Sequence, residues 1–214
     1  MVPMASKRTR MSAGERREQL IAVARGLFAE KGFDATSIEE VASRAKVSKP
    51  VVYEHFGGKE GLYAVIVDRE LTCIYAAITG ALESDASPSV ILEHAALALL
   101  TYIEDHTEGF RILSSENDRS SGTYSTLLAD LAVQVSGILA THFKAHQLDP
   151  RTAPLYAQML VGIVALPSQW WLENRRLSKE EVAAHMVNLA WNGLRGILPR
   201  PVLRTRGTDP GDQG

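Results

Sequence analysis

"TSIEEVASRAKVSKPVVYEHFGGKEGL", residues 36–62, places two short helical segments on either side of "AKVS" and stops the second at a pair of glycines. Thr36 and Glu39 have the spacing of a capping box, and Ile38, Val41, Ala42 and Ala45 recur at three- and four-residue steps behind them. That helix has barely two turns, too few to be stable alone. Ser48 is a favoured N-cap, Pro50 falls in the first turn where its missing N–H is harmless, and the segment runs to Phe56 before Gly57 and Gly58. Val52 and Phe56, four apart, turn inward with Val41 and Val47, which leaves Lys49, Pro50, Val51, Tyr53 and His55 on the opposite face. Two short helices joined by a tight turn, the second presenting rings and a cation outward, have the form of a helix-turn-helix whose second helix enters the major groove.

Upstream, Ser12 and Glu15 have capping-box spacing, and Leu20, Ile21, Ala24, Leu27 and Phe28 form one apolar face. Gly32 suits the end of that helix, with Phe33 folding back on its last turn. Downstream, helical periodicity continues from Lys59 to about Glu83. It resumes near 89–106, 108–115, 123–146, 151–174 and 179–198, with Pro167 expected to kink the penultimate helix. No strand pattern appears. The fold class is all-α: a three-helix domain at 12–58 carrying the helix-turn-helix, then a larger helical domain at 59–198, with 59–83 as linking helix. The basic arm 1–11 and the tail 199–214 carry little apolar content and are expected to be disordered.

The net charge of −2 over 214 residues hides a split. Residues 1–60 hold 11 Lys and Arg against 8 Asp and Glu, while the remainder hold 12 against 17. A basic N-terminal part on an acidic protein suits a local nucleic-acid contact. Cys73 is the single cysteine, so no intramolecular disulfide can form, and no signal segment opens the chain; the expected location is cytoplasmic. Thr152–Leu172 carries no formal charge, but two prolines and two glutamines interrupt it, and no membrane span is expected there.

"ATSIEEVASRAKVSKPVVYEHFGGKEGLY", preceded by "ARGLFAEKGF", resembles the N-terminal DNA-binding domain of the TetR family of bacterial transcriptional regulators. The resemblance covers about Arg16 to Leu62. It implies that Thr36 and Ser37 touch phosphate, that Lys49, Pro50 and Val51 approach base edges, and that Tyr53, His55 and Lys59 hold the DNA backbone. Ser48 belongs to the same contact set. Lys46 stands where the family usually has a glycine and offers a further phosphate contact; Pro50 replaces a glycine or small polar residue.

One short reading helix contacts few bases, so a homodimer on a palindromic double-stranded operator is expected. The last helix carries one stripe through Ala183, Val187, Ala190 and Leu194 and another through Met186, Leu189, Gly193 and Ile197. With Ala157, Leu160 and Val164 of the preceding helix, the first stripe is the expected dimer interface, the small residues letting backbones approach. In the family, the C-terminal domain holds a small-molecule pocket, so 12–58 is the expected DNA-binding domain and 59–198 the expected regulatory and dimerisation domain. Tyr102, His106, Phe110, Tyr124, Trp170 and Trp171 are its candidate lining here.

His142 and His146 are four apart on one face but have no third ligand, so no metal is expected; nor is a cofactor. No phosphate loop, zinc-protease motif or nucleophile elbow appears, and the chain is not expected to be an enzyme. The resulting expectation is a sequence-specific regulator, a repressor released from its operator by a small-molecule effector. A constitutive DNA-binding regulator and an all-α ligand-binding protein or enzyme are the alternatives.

Overall fold

A computed structural model of the chain describes residues 11–115 and 121–203. The expected arm 1–11, apart from Met11, and the tail beyond Leu203 lie outside the described residues. Nine α-helices follow in order among those described: α1 Ala13–Ala35, α2 Ile38–Ala45, α3 Lys49–Phe56, α4 Lys59–Leu82, α5 Pro88–Asp105, α6 Thr107–Ser114, α7 Ser121–Ala145, α8 Ala153–Glu173 and α9 Lys179–Arg195. There is no strand among them, and a short 3-10 turn at Pro150–Thr152 precedes α8.

The helix signals acted mostly as expected. The capping box at Ser12 and Glu15 is closed from both sides. Gly32 takes φ 79° and ψ 173°, a backbone conformation open only to glycine, and divides α1 just before its last residues. Phe33 beyond it stacks on Phe28 with centroids 6.0 Å apart, and Tyr63 meets both rings edge-on at 5.0 and 4.9 Å. Gly57 at φ 72° closes α3. The capping box at Thr36 and Glu39 is a correction: Ser37 caps α2 by accepting from the Glu40 N–H, while the Glu40 carboxylate goes to Lys31 at 2.6 Å. Ser48 stands at the N-cap of α3, yet its side chain makes no capping bond.

The chain divides into two compact units, one of residues up to Tyr75 with Asp105–Ser125, the other of Ala76–Glu104 with the chain from Thr126 onward. In the first unit, α1 packs on α2 and α6, and α2 packs on α3. Leu20, Leu27, Val41, Ala45, Val52 and Leu62 form a core there, each fully removed from solvent. Burial of this kind stabilises by about 25 cal/mol per Å² of apolar surface and lets helices of 8 residues persist. In the second unit, Leu139, Phe143, Ala153 and Ala157 form a buried cluster, joined by Leu160, Leu194 and Ile197. Phe143 meets Tyr156 edge-on at 5.4 Å.

α8 continues through Pro167, and the Ser168 hydroxyl donates to the Val164 carbonyl at 2.7 Å. Among the described residues, one helix is long and apolar enough to cross a bilayer, by length and composition alone: Gly122–Ala145, within α7. Its Leu131, Leu139 and Phe143 are nevertheless buried in protein.

Candidate nucleic-acid interface

α3 is held by side chains of α1 that the local pattern did not announce. The last carbonyls of a helix have no partner within it. Arg17 donates from Nη1 to the His55 carbonyl at 2.9 Å, capping the end of α3, and its guanidinium lies 4.5 Å from the Phe56 ring centroid. Two residues on, Gln19 donates from Nε2 to the Ala45 carbonyl at 3.2 Å and caps α2. Both helices of the motif are thus clamped at their C-termini by one neighbour. The bond from Arg17 is charge-assisted, a class that stabilises by about 1.5–3 kcal/mol.

On the outer face, Lys49, Pro50 and Tyr53 are exposed, Val51 and His55 are half-buried, and Val52 points into the core at 0% exposure. Tyr53 is 46% exposed, which leaves its hydroxyl side open to a partner. Lys49 forms an ion pair and hydrogen bond with Glu39 of α2, and its ammonium lies 5.9 Å from the Tyr53 centroid. That pairing holds the Glu39 carboxyl below its usual range and raises the Lys49 ammonium above its own. Both stay charged at neutral pH. A phosphate must therefore displace Glu39 to take Lys49. Ser37, Lys46 and Ser48 are exposed beside this face.

Lys46 occupies the left-handed region at φ 55°, ψ 45°. A side chain there costs roughly 1–2 kcal/mol, which explains why a glycine suits this turn. Its N–H is bonded to the Ala42 and Ser43 carbonyls. The next residue, Val47, is half-buried, as is Phe56, so the inward side of α3 is shallower than its pattern implied.

Two expected contacts are corrected. Thr36 is 2% exposed and its hydroxyl donates to the Gly32 carbonyl at 2.8 Å, so this side chain braces the turn after α1 and does not reach phosphate. Lys59 is half-buried: its Nζ donates to the carbonyls of Thr36 at 2.8 Å and Asp34 at 3.2 Å and sits 4.3 Å from the Phe33 centroid. It ties the start of α4 to the same turn. Other cations of the first unit are also paired, Arg44 with Glu30 and Glu40, and Arg69 of α4 with Glu18 through two bonds at 2.6 and 2.8 Å.

The six aromatic and histidine candidates fall in both units. His106, Phe110 and Tyr124 belong to the first unit, and Tyr102, Trp170 and Trp171 to the second. His106 lies 3.7 Å from the buried Glu70 carboxylate, which also receives Arg25 at 3.3 Å. Tyr102 is buried and Trp170 is 54% exposed. Trp171 donates its ring N–H to the Leu177 carbonyl at 2.8 Å and carries the Arg175 guanidinium 3.8 Å above its ring, which closes off the end of α8. None of the six lines either described hollow. One, of about 390 Å³, is lined by Phe33, Tyr63, Val67 and Leu71 among others; the other, about 90 Å³, by Leu139, Phe143, Trp191 and Leu194 among others.

The single chain already covers part of the expected dimer stripe. Ala157, Ala183 and Ala190 are buried within the single chain, at 0, 2 and 3% exposure, and Leu160, Val164, Val187 and Leu194 are half-buried on the same side. α8 and α9 pack on each other within the chain. The apolar residues left outside are Leu155, Met159, Leu166 and Trp170 on α8 and Leu189 on α9.

Residues 20–66 match the family described as bacterial regulatory proteins, tetR family, and residues 88–193 match a tetracyclin repressor-like C-terminal domain. The HTH-type transcriptional activator FasR of Mycolicibacterium smegmatis is 31% identical over 193 residues, covering 88% of this chain and 87% of that one. The chain belongs to the TetR family of bacterial regulatory proteins. A TetR-like transcriptional regulator from Rhodococcus sp. RHA1 shares the fold with a TM-score of 0.75, at 24% identity, over 88% of this chain and 100% of that one. AibR, solved in complex with isovaleryl coenzyme A and operator DNA, shares it with a TM-score of 0.65 at 18% identity, over 81% and 97%. The chain is a TetR-family, DNA-binding transcriptional regulator with an N-terminal helix-turn-helix, as its sequence led one to expect.

Proposed function

We propose that residues 12–58 read a palindromic operator through α3 and that residues 59–198 carry the dimer surface and a site for a small-molecule effector that lowers operator affinity. The observation that supports this most is the open outer face of α3 on a helix clamped from behind by Arg17. Lys46, Ser48, Lys49, Tyr53 and His55 serve phosphate, and Pro50 and Val51 offer apolar contact to thymine methyls. Ser37 stays in the set through its exposed place at the start of α2. Lys59 and Thr36 act by holding the turn.

The dimer surface is the exposed stripe Leu155, Met159, Leu166 and Trp170, residues that fall on one face of α8, with Leu189 of α9. A second copy covering it gives a two-fold interface that matches a two-fold operator. The complex of AibR with an acyl-coenzyme A and DNA makes an effector of this chain reasonable by analogy. Ligand and operator then oppose each other reciprocally through one shifted equilibrium. Whether occupancy represses or activates follows from where the operator lies relative to the promoter, and a repressor remains our reading. A regulator acts on the chromosome, hence in the cytoplasm, and needs no catalytic group.

Selection of bound duplexes from random DNA tests the proposal, followed by affinity against salt for the wild type and Lys49→Ala. Enrichment of a two-fold-symmetric site, with the slope of log affinity against log salt reduced by about 0.9 in the variant, is the expected result. No enriched site, or an unchanged slope, would defeat the assignment of α3 as reader.

A further inference from the structure

Among the described residues, one side-chain polar atom is fully buried with no hydrogen-bonding group of the protein in reach: the hydroxyl of Tyr124, near the start of α7. The residue is 5% exposed, and its ring meets Phe110 of α6 edge-on with centroids 5.8 Å apart. Burial pushes the phenol well above its ordinary pKa, so it is an intact O–H at neutral pH, a donor with no acceptor. A donor left unmet in an apolar interior forfeits its hydrogen bonds to water and receives nothing in return. Phenylalanine would fill the same space without that cost. A polar atom retained against local stability marks a site where some partner outside the chain supplies what is missing.

We propose that Tyr124 is the polar anchor of the effector site, its hydroxyl donating to an uncharged acceptor oxygen, a carbonyl or hydroxyl, on an otherwise apolar small molecule. The inference rests on the ligand-responsive reading given above. Phe110, Ile112 and Leu113 of the adjoining helix are all buried. A carboxylate or phosphate would lose more in desolvation there than one hydrogen bond returns, so the acceptor is neutral.

The position suits a regulator. Phe110 lies on α6, whose Glu108 carboxylate receives Arg25 Nε of α1 at 3.2 Å, and α1 holds the end of α3 through Arg17. Tyr124, α6, α1 and α3 all belong to the first compact unit. A molecule bonded to Tyr124 bears on α6 within the same packed body that fixes the reading helix.

The test compares full-length wild type with Tyr124→Phe, using 2-octanone and octane as probes in thermal melts and binding titrations. The unliganded variant is expected to melt higher by about 3 °C, since an unmet donor is gone. The ketone, and not the alkane, is expected to stabilise the wild type, with about tenfold weaker binding to the variant. A variant that melts lower than wild type, or a wild type that distinguishes ketone from alkane no better than the variant does, overturns the anchor and leaves the regulator reading standing. Tenfold discrimination at Tyr124 with operator affinity unmoved by the ketone upholds the anchor and overturns the ligand-responsive reading.

Discussion

Gly61 sits in the first turn of α4, where that helix passes the end of α3, and a methyl group added there would lie 2.0 Å from the Phe56 carbonyl oxygen and 3.2 Å from its carbon. A carbon–oxygen contact needs about 3.3 Å, so Gly61→Ala is too close by about 1.3 Å. The obstacle is backbone, and no rotamer change relieves it. Either α4 moves away from α3 or α3 loses its last turn. Overpacking against a rigid neighbour costs about 1–3 kcal/mol, more than the gain of up to about 1 kcal/mol from replacing glycine in a helix. Gly80, in the same helix with nothing within 4 Å of its added methyl, is the control: Gly80→Ala keeps the helix gain and meets no obstacle. Urea unfolding should place Gly61→Ala about 1–2 kcal/mol below wild type and Gly80→Ala up to about 1 kcal/mol above it. The first variant should also bind operator more weakly, because α3 is the element displaced. Equal stability of Gly61→Ala and wild type would refute the close approach of the two helices.

Lys46→Gly should raise stability by up to about 1 kcal/mol in urea unfolding, because the left-handed turn at φ 55° no longer strains a side chain. Arg17→Met should cost about 1.5–3 kcal/mol and weaken operator binding without changing its salt slope, since Arg17 holds α3 and touches no phosphate; an altered slope would place it on the DNA. Burial, aided by the neighbouring His146 at 4.0 Å between ring centroids, lowers the His142 pKa below its usual value. Between that lowered value and the unfolded one near 6.5, the unfolded chain binds the extra proton, so stability should fall as pH drops below about 6.5. Replacing His142 with Gln should flatten that decline in melts taken from pH 7.5 downward.

The helices of the first unit were legible because their punctuation is local: Ser12 with Glu15, Gly32, and Gly57 each act within a few residues of themselves. The outward side of α3 followed from the same spacing, with Lys49, Pro50 and Tyr53 exposed. The capping residue of α2 was misplaced by one because Thr36 and Ser37 are both good caps, and only the depth of the turn decides which is buried. The clamps escaped notice because Arg17 and His55 are 38 positions apart, and nothing in an arginine tells which carbonyl it will meet. The bonds of Lys59 escaped notice for the same reason: a cation at a helix start reads as solvated until the turn it bonds to is in place. In the second unit, the alanines of α8 and α9 allowed close approach as expected, but pattern alone does not say whether the approaching helix belongs to the same chain. The aromatic set was the least legible, since ring residues at helical spacing look alike whether they close a helix, as Trp171 does, or keep a hydroxyl unmet, as Tyr124 does.

On the proposed reading, a phosphate that takes Lys49 releases the Glu39 carboxylate, so the contact exchanges one anion for another. The pair lies open to water, where such pairs contribute little, so Glu39 holds the lysine extended along the face of α3 and gives it up at small cost.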